Sequence, residues 1–365
     1  MADLGAPKIT VFFTELGISA INRGDKGTVA VIVRDAAAVD PVALTQATQI
    51  PKELGVAIQA YIKRTFTGYV NPPKKVIVYV APTDDDTNLS AALGYMATQD
   101  FDYIVGPADC TAAEAEAIAS WVKSQRLNNG TKYKAVLPNY AADNYAIINF
   151  AATGMKDGTK TADEADVIYT TAEYCSRIAG LIAGTPMKIS ATYAPLPELT
   201  DVNRLTKEQL DEAVNDGKLV LKWDGKKAKI CRAVNSLVTT SEGMLDSFKK
   251  IKIVEIMDLI RTDITSTAED SYIGKYANTY DNKLLLITAI RGYFMGLEQD
   301  KLVQPGYTVE IDVDKQEQYL VSKGVDTSEM TAQEIREADT GTHVFIKIAC
   351  KILDAIEDID IDITI

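Results

Sequence analysis

From Asp358 onward, polar and apolar residues alternate without a break through Ile365. Successive side chains of a strand point to opposite faces. The pattern therefore predicts one apolar face of Ile359, Ile361, Ile363 and Ile365 and one polar face of Asp358, Asp360, Asp362 and Thr364. A repeat of two fits a half-buried strand and no helix. No later strand follows in this sequence to pair with it. Two readings fit: an edge strand folded back on its own domain, or a template offered to another chain. A second short run near the other end has Ile9, Val11 and Phe13 interleaved with Thr10, Phe12 and Thr14. Gly17 and the polar segment 22–27 set it apart from the next strand. One such run at each end suits a subunit that completes its neighbours' sheets.

Between these runs the pattern predicts strands at Thr28–Val33 and Val76–Val80, with a helix over Pro51–Phe66 carrying Leu54, Ile58, Tyr61 and Ile62 on one side. Leu89, Leu93 and Met96 fit a helix and Phe101–Val105 a strand. Thr111 and Glu114 form a capping box that opens a helix stopping near Gly130. Strands follow at Tyr133–Leu137 and Ala146–Phe150. Alternating strands and helices predict an α/β layer with a largely parallel sheet. Thr171–Gly184 is a helix in which Gly180 permits close approach. Thr206 and Gln209 cap a short helix that closes at Gly217. Leu219–Trp223 and Ala228–Ala233 flank Asp224-Gly225, a hairpin signal. Further on, helices are expected over Phe248–Ile260 and Leu284–Leu297, a strand at Tyr307–Ile311 and a capping box at Thr331 and Glu334. His343–Cys350 alternates as a strand with Val344, Ile346 and Ile348 on one face, and a bend or bulge is expected near Ala349-Cys350.

Composition narrows the function classes. Lys and Arg number 38 against 51 Asp and Glu, a net charge of −13. That balance argues against a nucleic-acid partner, whose binders cluster positive charge, and against anionic membrane surfaces. Met1–Thr10 lacks the pattern of a signal peptide, and no apolar run has the length needed to span a bilayer. Cys110, Cys175, Cys231 and Cys350 are isolated and read as reduced thiols, which points to synthesis in a bacterial or similar cytoplasm. Chemistry is hard to place. The single histidine, His343, lies inside a predicted strand, and no G-x-S-x-G elbow accompanies it. There is no phosphate loop, no dinucleotide fingerprint and no Cys/His zinc spacing. Asp84-Asp85-Asp86 is read as a solvated loop. No catalytic residue, cofactor or metal is expected.

Several segments together resemble the sheath proteins of contractile phage tails, in the form found in phages of Gram-positive bacteria, prophage-like particles and phage-tail-like bacteriocins. They are Arg23–Ala30, Asn71–Val76, Ala135–Asn139 with Ala141–Asp143, Thr171–Gly180 continuing through Thr192–Pro197, Val234–Leu237, Tyr280–Lys283 and the closing strand. The resemblance implies a middle domain with a subtilisin-like α/β fold lacking the protease triad. It implies hexameric rings stacked into a helical polymer around a tail tube, with baseplate and tail terminator proteins as further partners and no membrane insertion. It also implies terminal arms that join a sheet in the C-terminal domain of another copy, placing them at Ile9, Val11 and Phe13 and at Ile359, Ile361 and Ile363, with Val344, Ile346 and Ile348 in the receiving sheet. Contraction would drive the tube through a target envelope. The expected fold is a multidomain mixture of α/β and α+β: an N-terminal arm over 1–27, a small β-containing domain over 28–86, the middle domain over 87–240, a C-terminal α+β domain over 241–354 and a C-terminal arm over 355–365. Two other classes stay open on the residues: a hydrolase on a subtilisin-like fold, and a different self-assembling virion component.

Overall fold

The structure, a computed structural model, describes residues 20–21, 24, 26–83, 89–160 and 165–364. Ile9, Val11, Phe13, the acid run at Asp84–Asp86 and Ile365 lie outside the described residues. The chain divides into two compact units.

The larger unit is built on one sheet. In chain order its elements are β1 (Thr28–Arg34), β2 (Val42–Leu44), α1 (Val56–Thr65), β3 (Lys75–Ala81), α2 (Ser90–Met96), β4 (Tyr103–Val105), α3 (Ala112–Asn129), β5 (Lys134–Pro138) and β6 (Ile147–Phe150). They continue with β7 (Met155–Lys160), β8 (Asp166–Tyr169), α4 (Thr171–Ala183), β9 (Pro195–Leu196), α5 (Lys207–Asn215), β10 (Lys218–Leu219), β11 (Leu221–Trp223), β12 (Ala228–Ile230) and the first part of α6 (Ile251–Ser271). The seven-stranded sheet runs β10-β6-β5-β4-β1-β3-β2. All its pairings are parallel except that of the edge strand β2 with β3.

β1 shows why. Its sequence Thr-Val-Ala-Val-Ile-Val-Arg is apolar on both faces, as a parallel strand covered by helices on each side must be. Val29, Val31 and Val33 pack with residues of α1 and α4, while Ala30 and Ile32 pack with residues of α2 and α3. β1 also lies between β3 and β4, so strands from either side of the boundary expected at 82–87 share one sheet, and segments 28–86 and 87–240 fold together. The run expected as one strand over Leu219–Trp223 serves two sheets. Leu219 pairs with Phe150 in the main sheet, and Leu221–Trp223 forms the hairpin with β12.

The local signals operate as expected. Thr111 and Glu114 exchange their capping hydrogen bonds, and α3 ends on Gly130 in the left-handed conformation at φ 65°. Thr170 caps α4 with Glu173, and the helix begins at Thr171 as the sequence predicts. Gly180 lets α4 touch the end of α1: a Cβ added there would stand 1.8 Å from the Thr65 carbonyl oxygen. Arg177, on the same helix, is almost fully buried and donates to the Gly68 carbonyl at 2.7 Å and to Glu198 at 2.6 Å.

The N-terminal ends of the parallel strands meet the first turns of α6 through buried charges. Glu255 accepts from Lys26 Nζ at 2.5 Å and from the Tyr103 hydroxyl. Asp258 takes a two-pronged contact from Arg126 at 2.6 and 3.1 Å and a third bond from Lys134 Nζ at 2.7 Å. Burial alone would push the Asp258 carboxyl up; Lys134 and Arg126 beside it hold it below its ordinary value. Burial pulls the Lys26 ammonium below its usual range, against the opposing pull of Glu255. Removing one member of such a set leaves an uncompensated buried charge, which costs more than the intact set contributes.

The smaller unit holds the rest of α6, α7 (Tyr280–Gln299), β13 (Thr308–Ile311), α8 (Val313–Ser322), α9 (Ala332–Glu337) and β14 (Ile346–Ala349). Tyr293 of α7 donates to Asp263 at 2.7 Å. β13 and β14 form an antiparallel pair with register Thr308↔Ala349, Val309↔Ile348, Glu310↔Lys347 and Ile311↔Ile346. α8 was not expected from the sequence. One of its core-facing positions is Gln316, fully buried and donating to the carbonyls of Ile335 and Arg336.

Two glycines give a stability test of opposite signs. Gly180→Ala forces a methyl onto backbone, and about 1–3 kcal/mol of stability should be lost. Gly292, inside α7 with nothing near its Cβ position, should gain up to about 1 kcal/mol as alanine. Urea unfolding of the two variants checks both; equal effects would contradict the packing described.

Candidate functional site

In an open α/β sheet the strand order reverses at a switch point, and ligands bind outside the carboxyl ends of the strands there. Here that point lies between β1 and β4. It is filled by an ion cluster. Arg34, the last residue of β1, bonds Asp109 at 2.8 Å and also pairs with Glu114. The Tyr61 hydroxyl donates to the Gly106 carbonyl at 2.7 Å. Cys110 stands beside them, but burial pushes its thiol up to about 12, so it is not a thiolate at neutral pH and cannot act as a ready nucleophile. His343 lies in the smaller unit with its ring 4.8 Å from that of Tyr319 and stacked 6.2 Å from Phe345. Among the described residues no group of three or more His, Cys, Asp or Glu could hold a metal ion, and no helix is long and apolar enough to cross a membrane.

The C-terminal segment offers a different kind of site. Val303 and Ile352 form an isolated antiparallel bridge, and the Leu353 amide donates to the Leu302 carbonyl at 2.8 Å. Beyond this the chain is held by carboxylates, of which Glu357 makes the most bonds. Glu357, with its side chain only 4% exposed, accepts from Thr192 Oγ1 at 2.5 Å, from Ser190 Oγ at 3.1 Å and from the Lys250 ammonium. Arg232 stands 3.6 Å away and pairs with Asp358. Burial pushes the Glu357 carboxyl up, but the bonds from Lys250, Thr192 and Ser190 outweigh it and hold the group below the usual carboxylate range.

After Asp358 the anchoring stops. Among the described residues, 359–364 join no helix or sheet. Ile359, Ile361 and Ile363 are 72%, 75% and 80% exposed. Three exposed isoleucines at a spacing of two are an apolar stripe without cover. The other sequence-marked residues lie in the smaller unit: Ile346 and Ile348 are on β14, and Val344 precedes it, exposed. β13 and β14 form a two-stranded sheet, with no third strand among the described residues. A two-stranded pair is marginal by itself; on β13 the Val309 carbonyl already accepts from Arg291 at 2.8 Å, while the outer edge of β14 has no strand beside it among the described residues.

The sequence reading marked the stripe and β14 but missed the anchor. Its four partners lie 107 to 167 residues away along the chain. The one local sign is the pair of consecutive acids, Glu357-Asp358, where the alternation begins.

Comparison with known proteins identifies the family. Residues 84–236 match the phage tail sheath protein central domain, and residues 246–365 match the phage tail sheath C-terminal domain. The tail sheath protein of Clostridium phage phiCD119 is 37% identical over 362 residues, covering 98% of each chain. The phage-like element PBSX protein XkdK of Bacillus subtilis is 28% identical over 190 residues, 51% of this chain and 38% of that one. Among solved structures, the anti-feeding prophage helical sheath in its contracted state aligns with a TM-score of 0.70 at 13% identity over 99% of both chains. The sheath tail protein of Desulfitobacterium hafniense aligns with a TM-score of 0.66 at 16% identity, covering 84% of this chain and 94% of that one. The chain is a virion structural protein of a class that self-assembles. The chain belongs to the phage tail sheath protein family.

The anchor makes its own prediction. Glu357→Gln keeps a hydrogen-bonding group at the site but removes its charge. Amides at 355–358 should then exchange about tenfold faster, a loss of roughly 1–2 kcal/mol of local protection, with little change in global melting. Because the carboxyl is held below its ordinary value, the wild-type anchor should persist above the usual carboxylate range and loosen as pH falls through that lowered value. Unchanged exchange in the variant would show that the anchor does not hold the segment.

Proposed function

We propose that this chain is the sheath subunit of a contractile phage tail or phage-tail-like particle. It polymerises through donated terminal strands as stacked hexameric rings around a tail tube. The observation that carries this reading is the exposed, unpaired stripe of Ile359, Ile361 and Ile363 leaving an anchored root at Glu357. The runs at Ile9, Val11 and Phe13 and at Ile359, Ile361 and Ile363 act as arms, and the sheet containing Val344, Ile346 and Ile348 receives them in another copy. The larger unit, with its parallel sheet covered by helices on both faces, is the subtilisin-like body of the subunit, used as a scaffold without a triad. Tube, baseplate and tail terminator proteins are the partners, the subunit is made in the bacterial cytoplasm, and it takes no cofactor.

Energetics suits a reversible mesh. Burying three isoleucines contributes about 1.5–3 kcal/mol each. Ordering the backbone of six residues costs about 1–2 kcal/mol per residue. The two nearly cancel, so backbone hydrogen bonds and side-chain pairing decide whether an arm stays docked. Backbone bonding within a docked strand does not depend on the angle between the bodies it joins. Rings joined in this way can rotate during contraction without releasing one another. A difference of a few kcal/mol per subunit between two packings suffices to drive the change when many subunits act together.

Removing residues 359–365 leaves the anchor and both units intact. The truncated protein should melt like the full chain yet form no sleeves when concentrated, as seen by negative-stain microscopy. Normal sleeves from the truncated protein would overturn the reading.

A further inference from the structure

The strand pair in the smaller unit is not symmetric. Its apolar face carries Val309 and Ile311 from β13 opposite Ile348 and Ile346 from β14. The β13 residues are 1% and 4% exposed. Their β14 partners are only half-buried. The incomplete cover therefore lies on the β14 side. The opposite face carries Glu310 directly across from Lys347. Lys347 is exposed and forms no ion pair among the described residues.

We propose that the free edge of β14 is the edge that receives the C-terminal segment of a second copy, and that Lys347 selects it. The proposal rests on strand donation as read above and adds which edge is used and in what parity. Side chains of adjacent strands share faces two by two. Setting Ile359, Ile361 and Ile363 beside Ile346 and Ile348 covers the half-buried pair. The same parity places Asp360 and Asp362 on the face of Lys347. The charges across that face then read acidic, basic, acidic: Glu310, Lys347 and the incoming aspartates. A slip of one residue would drive the aspartates among the isoleucines. Docking on β13 would instead set them beside Glu310, and like charges directly opposite destabilise a pair. Asp358 takes no part, because Arg232 of its own chain holds it. Parity is set in this way for either strand direction.

Charge exchange tests it, read as the critical concentration for sleeve formation by sedimentation. Lys347→Glu alone, and Asp360→Lys with Asp362→Lys alone, should each raise that concentration about fivefold or more, and combining all three should restore it to within about twofold. Lys347→Gln, which introduces no repulsion against Glu310, should weaken assembly less and flatten its salt dependence; monomer melting of every variant checks that the fold survives. A triple variant no better than its weaker parent overturns the assignment. Undiminished or improved assembly of the Asp360→Lys with Asp362→Lys variant, its Lys347 and Glu310 unchanged, would place the arm on β13 beside Glu310 and overturn it too. If the chain lacking residues 359–365 assembles normally, donation itself fails; if it does not assemble and charge exchange brings no rescue, only the choice of edge fails.

Discussion

Each strand of a sheet carries backbone donors and acceptors on two sides, and the rest of this molecule depends on where those groups find partners. In the main sheet of the larger unit every strand but the two at its edges has two neighbours, helices cover both faces, and the parallel order places the apolar strands β4 and β1 in the interior. In the smaller unit the sheet has two strands among the described residues. The C-terminal segment passes its last bond at Asp358 and continues with its isoleucines in water. A protein that left such features to chance would aggregate through them. Here they are separated and specified: one end is fixed by a carboxylate, and the free part is marked by alternating acids that keep it soluble while it is unpaired.

The anchor gives the free segment a defined origin. Glu357 is fixed by a hydroxyl pair and an ammonium, so the arm departs from one place on its own subunit. The buried charges between α6 and the strand ends act in the same manner on a larger scale. Glu255 and Asp258 lie one helical turn apart and meet cations from three separate segments of the sheet layer. Such contacts contribute little net stability compared with apolar packing, but they penalise any other docking of the helix. The switch point, which in many α/β proteins holds a ligand, is taken by Arg34 and its two acids.

Much of this was legible in the residues because its causes are local. The apolar runs of β1 and β3, the capping boxes at Thr111, Thr206 and Thr331 and the turn at Asp224-Gly225 announce themselves within a few positions. β7 and β8 did not, because their hairpin is polar and is tied by Lys156–Asp166 and Asp157–Tyr169 pairs rather than by an apolar face. α8 hid because a buried glutamine occupies a core position. The boundary expected near residue 86 falls between strands that share one sheet, since β1 pairs with β3 before it and β4 after it. The stripe of Ile359, Ile361 and Ile363 was visible as a pattern. Its anchor was not, since Ser190, Thr192, Arg232 and Lys250 come together with Glu357 only in three dimensions.

Amide hydrogen exchange across residues 359–364, compared between the dilute subunit and assembled sleeves, measures the central claim most directly. The account predicts exchange near the rate of an unstructured peptide in the subunit, and strong protection at alternate amides, or at all of them, once sleeves have formed. Equal protection in the two states, already present in the dilute subunit, would mean that the segment completes a sheet of its own chain and would contradict the account.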